Sequence, residues 1–284
     1  ISGEIDSWPT SITLEFDEEL QNLGDEKANF VVVNNAVGDQ VSETDEVISG
    51  NGNLKLEFDN VYNANNLAFN TPYTNSNGEV VKINKLKYIV SNIVLTKADG
   101  TTFTLPKSQS YFIVDEATAA SALLNLPNIP AANYTKVSFG IGVDQAQFNL
   151  GATGQGDFLA LAQTAGMMWS WSAGYKFLAF EGTFTSSTVT SPTSFMVHTG
   201  QTGTDYNYTT VTLNLPTNAL VRTTITPQVH IMADISKVLD GSNKISLTAS
   251  NGMGMGAMIM SGDKLPLITS NLPTMFSVEH VHND

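Results

Sequence analysis

The sequence predicts a mostly β protein, an antiparallel β-sandwich with a few short helices. Three observations carry this prediction. Apolar and polar residues alternate in short segments along the chain, as in Leu54-Lys-Leu56-Glu-Phe58, and a period of two puts one set of side chains on one strand face. Turn residues separate these segments at short intervals. The composition is rich in Thr, Asn, Ser and Gly and only 14% charged, and helical periodicity is rare. With 284 residues the chain can bury a sizeable core, as one large domain or two. It contains no run of 18 apolar residues, so no transmembrane helix is expected.

Charge divides the chain. Residues 1–48 hold twelve of the 27 acidic residues and one of the 13 bases, a net of −11, which leaves 15 acids against 12 bases, or −3, for the rest. The shift predicts a separate acidic unit over residues 1–50, joined at Ser49-Gly50-Asn51-Gly52-Asn53. Its strands are Thr10–Phe16 and Phe30–Val33. The stretch from Trp8 through Ile12, Leu14 and Phe16 resembles the opening of bacterial Ig-like domains. Fifty residues are too few for a whole sandwich of about 100, so a partial Ig-like unit or added strands is expected. Its carboxylates could hold Ca²⁺ as a structural ion, although a solvated acidic surface is the simpler reading of them. The overall net charge of −14 argues against nucleic acid, which needs basic patches.

The main domain, residues 51–284, opens with the strand around Leu54–Phe58. An Asn-rich loop over 63–78 follows, since Asn and Gly tolerate positive φ. Val80–Leu95 reads as strand, turning at Asp99-Gly100. Residues Asp115–Asn125 read as a helix, capped by Asp115 and stopped by Pro127. Tyr134–Val143 is strand. Gly151–Gly156 is plain loop, because it lacks the lysine and the βαβ setting of a phosphate loop. Asp157–Gly166 reads as a short helix. Strands follow at Tyr175–Phe184, Phe195–His198, Tyr208–Leu215, Leu220–Ile225 and Val229–Ile235.

The most distinctive stretch is Met167-Met168-Trp169-Ser-Trp171-Ser-Ala-Gly174-Tyr175-Lys-Phe177. As a strand it would set Trp169 and Trp171 side by side on one face, where two large aromatics serve equally as core. Downstream come Phe195-Met-Val-His198-Thr-Gly200 and Met275-Phe276-Ser-Val-Glu-His280-Val-His282. These three motifs, in this order, resemble the MbnP-like family, bacterial copper-binding proteins associated with methanobactin operons. The resemblance covers roughly residues 53–284 and includes Tyr88-Ile-Val-Ser-Asn-Ile-Val-Leu95. It implies an exported protein of the periplasm or outer membrane of a Gram-negative bacterium, of lipoprotein type. It implies a dihaem peroxidase-like partner that oxidises one tryptophan, Trp169 or Trp171, to kynurenine beside the copper, and an outer-membrane transporter as a further partner. The start at Ile1 is read as a mature or trimmed form.

The residues themselves support metal binding. There is no cysteine, which removes disulfides, thiolate sites and cysteine nucleophiles. Four histidines remain. His280 and His282 sit at i and i+2 and share a strand face, and in a sandwich His198 would converge with them on one copper ion. His230 reads as structural or supporting. Imidazole suits Cu, Zn and Ni, and thioether favours Cu(I). Met253, Met255 and Met168 are candidate soft ligands, against the ordinary role of Met as a filler of core gaps. No G-x-S-x-G elbow or H-E-x-x-H motif marks an enzyme, so copper capture, storage or delivery without turnover is expected. A non-catalytic accessory subunit of an outer-membrane complex is the alternative, and Ca²⁺-supported glycan binding on aromatic platforms a weaker third.

Overall fold

A computed structural model describes residues 48–284. The expected acidic Ig-like unit and its Ca²⁺ ion fall outside the described residues, apart from the joint itself. The chain divides after Ile48.

In chain order the elements are β1 (Asn51–Tyr62), β2 (Asn65–Asn66), β3 (Pro72–Thr74), β4 (Val80–Lys97), β5 (Thr102–Thr104), β6 (Tyr111–Asp115), β7 (Leu123–Pro130), β8 (Ala132–Ile141), α1 (Gln145–Phe148) and α2 (Asp157–Thr164). Then come β9 (Lys176–Thr185), β10 (Thr193–Thr202), β11 (Asp205–Tyr206), β12 (Thr209–Val221), β13 (Gln228–Asp234), α3 (Lys237–Asp240), β14 (Ala257–Ile259), α4 (Lys264–Asn271) and β15 (Phe276–His282). One sheet runs β15-β13-β1-β2, with β7 also on β1. The larger runs β11-β10-β9-β4-β8-β12, with β3, β5 and β6 on β4 and β14 on β10. Most pairings are antiparallel, as expected of a mostly β sandwich. Two are parallel, β1 with β13 and β10 with β14.

Alternation builds the layers. In β1, Leu54, Leu56 and Phe58 are buried in the main core while Lys55, Glu57 and Asp59 point away. In β9, Leu178 and Phe180 join that core, and Phe177 and Ala179, on the other face, join a second cluster. The second cluster includes Ile89, Val143, Met167 and Tyr175. It lies on the outward face of the large sheet, with side chains of α1, α2 and the Trp segment packed against it. Asp144 fixes this cover. Its Oδ1 accepts the Gln147 N–H at 3.0 Å, capping α1, while Oδ2 takes Tyr111 Oη and Lys107 Nζ, each at 2.7 Å.

Three local expectations need correction. Residues 115–125 are not an α-helix, and only Ala119–Ala122 form one short 3-10 turn. Asp115 does cap, but it caps a turn, its Oδ1 accepting the Ala117 N–H at 3.1 Å. Leu124, Leu126 and Ile129 then alternate into the core as β7. Pro127 is tolerated because β7 pairs with β1 alone, and an edge strand has no ladder donor to lose there. The strands expected over 208–215 and 220–225 are not two: β12 is continuous over Thr209–Val221, with a register shift against β8 between Asn214 and Ala219, and residues 222–225 lie beyond it. The Trp motif is a turn, not a strand.

Candidate metal centre

The sheet β15-β13-β1 gathers three imidazoles on its outward face. His280 and His282, two residues apart on β15, have ring centroids 4.5 Å apart at 77°. His230 follows buried Val229 and precedes buried Ile231 on β13, so it points away from the core. It pairs with His280 across the ladder, and the two rings lie 4.7 Å apart.

A β-bulge completes the set. The β13–β15 register shifts after His230, leaving Glu279 as the extra residue of β15. In regular alternation Glu279 and His280 would point to opposite faces, but a bulge re-aims one side chain. Glu279 Oε2 therefore lies 2.8 Å from His230 Nδ1 and 3.4 Å from His280 Nδ1. One ligand atom each from His230, Glu279 and His280 lies within 4.8 Å of the other two. On β1, Glu57 is in register with His230, its Oε2 3.7 Å from Nε2. The neighbouring Asp59 carboxyl is pushed up by burial and by the charges of Glu57 and Glu279, which outweigh the opposing pull of His230. The donors are imidazole and carboxylate, a set that suits Cu(II), Zn or Ni. Glu279 and His282 are exposed and β15 is an edge strand, so the face is open to an incoming ion.

The Trp segment builds a second locus, on the large sheet. An antiparallel bridge joins Met168 to Tyr175, and between them Gly174, at φ 79°, closes the turn by donating its N–H to the Ser170 carbonyl at 2.8 Å. The two indoles separate as a result. Trp171 stacks on Phe148 at 4.8 Å and remains 37% exposed. Trp169 lies 6.0 Å from the His198 ring, with Lys176 Nζ 5.8 Å from its own ring centre. Gly200 makes this packing possible. A Cβ there would meet the Tyr175 carbonyl oxygen at 2.5 Å and Trp169 Cζ3 at 2.9 Å, which gives the H-x-G pattern a steric reason. A cleft of about 560 Å³ opens beside Trp169, lined also by Ser172, Gln201 and Met260.

His198 is 4% exposed. Burial pushes its pKa down, opposed by the hydrogen bond to Glu181 and reinforced by the charges of Lys176 and Lys85. Its Nε2 lies 2.9 Å from Glu181 Oε1, and Lys85 Nζ donates to both Glu181 oxygens at 3.0 Å. Burial alone would raise the Glu181 carboxyl, but these hydrogen bonds bring it below its ordinary range. An ionised Glu181 makes Nε2 the protonated nitrogen. Nδ1 is buried and has no hydrogen-bond partner among the described residues.

The structure thus joins His280 to His282 and Trp169 to His198, but it does not bring His198 to the other pair. His198 stands on β10 of the large sheet and faces away from the core, since Phe195 and Val197 fill it. His280 and His282 leave the outward face of the other sheet, so the shared core lies between the two groups. The expected set of His198, His280 and His282 thus spans both sheets. Met168 packs against the second cluster, whereas Met253 and Met255 are 92% and 74% exposed. Sequence reasoning undervalued His230 and missed Glu279. The period-2 placement of His230 was readable, but a bulge at Glu279 leaves no signal in residue types.

Comparison with known proteins gives one family. The MbnP family model matches residues 51–260, and the match ends before α4 and β15. Among solved structures, MbnP from Methylosinus trichosporium is similar at 13% identity, over 72% of this chain and 82% of that one, with a TM-score of 0.43. No curated protein matches.

Proposed function

The chain belongs to the MbnP family, and on that premise we propose that it is an exported copper-binding protein that captures, stores or delivers the ion without turnover. The ligands are His230, Glu279, His280 and His282. The observation that carries this reading is the placement of one ligand atom from each of His230, Glu279 and His280 within 4.8 Å of the others, with the His282 ring against His280. Among divalent ions the Irving–Williams order favours Cu(II) at such nitrogen and oxygen donors. When bound, copper would supply a Lewis-acidic, redox-active centre.

The chain's own part is to hold the donors. Pairing of β13 with β15 fixes the spacing of His230 and His280. The bulge brings a carboxylate to their side, and hydrogen bonding between Glu279 and His230 Nδ1 orients that ring while its other nitrogen faces Glu57. Imidazole must be neutral to ligate, so binding releases protons and weakens in acid.

The test is Cu(II) titration of the full chain near pH 7 and near pH 5, with His280→Ala and His230→Ala alongside. The expected results are tighter binding at the higher pH and a loss of affinity of about tenfold or more in each variant, the scale of perturbing a metal's ligand shell. Equal binding in wild type and both variants would sink this ligand assignment. A full chain that takes up no copper at all would favour the accessory-subunit reading.

A further inference from the structure

The outward face of β1 brings a second carboxylate to the histidine ladder. Because β1 and β13 run parallel, Glu57 lies in register with His230 and Asp59 with Met232. Glu57 stands between buried Leu56 and Phe58, so its side chain leaves the same sheet face as the imidazoles. Gln228 holds it there, its Nε2 donating to Glu57 Oε2 at 2.5 Å, and Gln228 is paired with His282 across β13 and β15. Each ring nitrogen of His230 therefore faces a carboxylate. Glu279 Oε2 is 2.8 Å from Nδ1, and Glu57 Oε2 is 3.7 Å from Nε2.

We propose that these two carboxylates make the ladder selective for the charge of its ion. It holds copper as Cu(II) and gives it up as Cu(I), and Glu57 is the residue that sets this selectivity. The proposal rests on the copper assignment above, and it adds a residue from a third strand and a route of release. Bound Cu(II) takes one electron from a one-electron reductant such as ascorbate and leaves as Cu(I), while no covalent bond of the chain is made or broken.

Two arguments lead there. The first is charge. Coulombic attraction scales with the product of the charges, so each fixed carboxylate draws a divalent ion twice as strongly as a monovalent one. Two carboxylates beside neutral imidazoles balance the charge of Cu(II) and overcompensate that of Cu(I). The Glu57 and Glu279 side chains are 38% and 52% exposed. Solvent therefore screens them, and the effect of removing one is set at about tenfold, the lower end for a residue supporting a metal's ligands. The second argument is donor type. Cu(I) prefers thiolate and thioether, whereas imidazole and carboxylate suit harder ions. The chain has no cysteine. Met232, one same-face step of about 7 Å from His230 along β13, is in register with Asp59 and Ser277 and not with another imidazole.

The experiment titrates Cu(II), and separately Ag(I) as a redox-stable stand-in for Cu(I), into the full chain and into the full chain carrying His230→Ala, His280→Ala and His282→Ala. The difference between the two chains is the binding that belongs to the ladder. The ladder should bind Cu(II) more tightly than Ag(I). Glu57→Gln keeps the shape and removes the charge. It should weaken Cu(II) about tenfold and Ag(I) by less, with an unchanged melting temperature in the absence of metal. Met232→Leu nearly conserves volume and should leave both affinities unchanged. Desalting the Cu(II)-loaded chain after anaerobic ascorbate should strip the ladder's copper, which stays bound when the reductant is omitted. Wild-type Cu(II) affinity in Glu57→Gln, an equal loss for both ions, a loss of Cu(II) binding in Met232→Leu, or copper that stays on the ladder after reduction would each overturn the proposal while leaving the copper assignment standing. Equal Cu(II) binding by wild type and the triple histidine variant would overturn both.

Discussion

Glu79 shows how one residue can fix a distant segment. It is 1% exposed, and its carboxylate accepts the N–H groups of Leu247 at 3.1 Å and Thr248 at 2.7 Å. The Ser246 hydroxyl and the Asn75 amide each donate to it at 2.8 Å. Burial would raise this carboxyl, but hydrogen bonding from Thr248, Asn75 and Ser246 wins and holds it below its ordinary value of 4.5. A depressed folded-state pKa contributes stability that is present above the unfolded value and is lost as pH falls through the folded one. Glu79→Gln should therefore cost about 1–3 kcal/mol in urea unfolding near neutral pH. The gap to wild type should narrow as pH drops below 4.5, and a gap independent of pH would show that the charge is not the stabilising feature. The same scale separates the legible from the illegible at the metal centre. That His280 and His282 share a face follows from a spacing of two. That Glu79 binds residues 246–248, or that His198 is held by Glu181, could not be read, because those partners are distant in sequence and only strand pairing makes them neighbours.

At the scale of elements, turns and bulges decide where side chains end up. The aromatic spacing of two in the Trp motif matches the β period. The hydrogen bond from the Gly174 amide to the Ser170 carbonyl makes it a turn instead, and the two indoles diverge. Trp169 then rests on Gly200 of β10. Gly200→Ala should place a methyl group against the Tyr175 backbone and the indole, at a cost of about 1–3 kcal/mol for overpacking. Displacement of Trp169 should also red-shift the tryptophan emission. A variant with wild-type stability and emission would show that this contact does not position the ring. Similarly, Asp115 and Pro127 sit where helix start and stop signals belong, yet the chain between them enters β7 at Leu123. Three apolar residues alternating into a waiting sheet outweighed those local cues.

At the scale of the molecule, two sheets share one core and each turns a different donor set outward. The histidine ladder draws on β13 and β15, in the sheet that does not contain β10, and β13 is held in place by its parallel pairing with β1 at the start of the described chain. The ladder therefore forms only when the start and end of this unit have come together. An ion that binds only the assembled sheet stabilises the whole fold, by about 2.7 kcal/mol when free ligand is 100 times Kd. Cu(II) should accordingly raise the melting temperature of the full chain, a chelator should reverse the rise, and His280→Ala should abolish it. A rise that survives His280→Ala would place the stabilising ion elsewhere.

The sequence by itself determined the fold class, most of the strands, the absence of thiolate chemistry and the family, because alternation, composition and motif order are local properties of the chain. It also placed His280 beside His282 and His198 near the Trp motif. Tertiary structure alone decided that these are two places and not one. Sheet faces are set by which strands pair and in which register, and a core that excludes water lies between His198 and the ladder. The bulge that recruits Glu279, and the parallel strand that sets Glu57 in register with His230, likewise depend on pairings between distant segments.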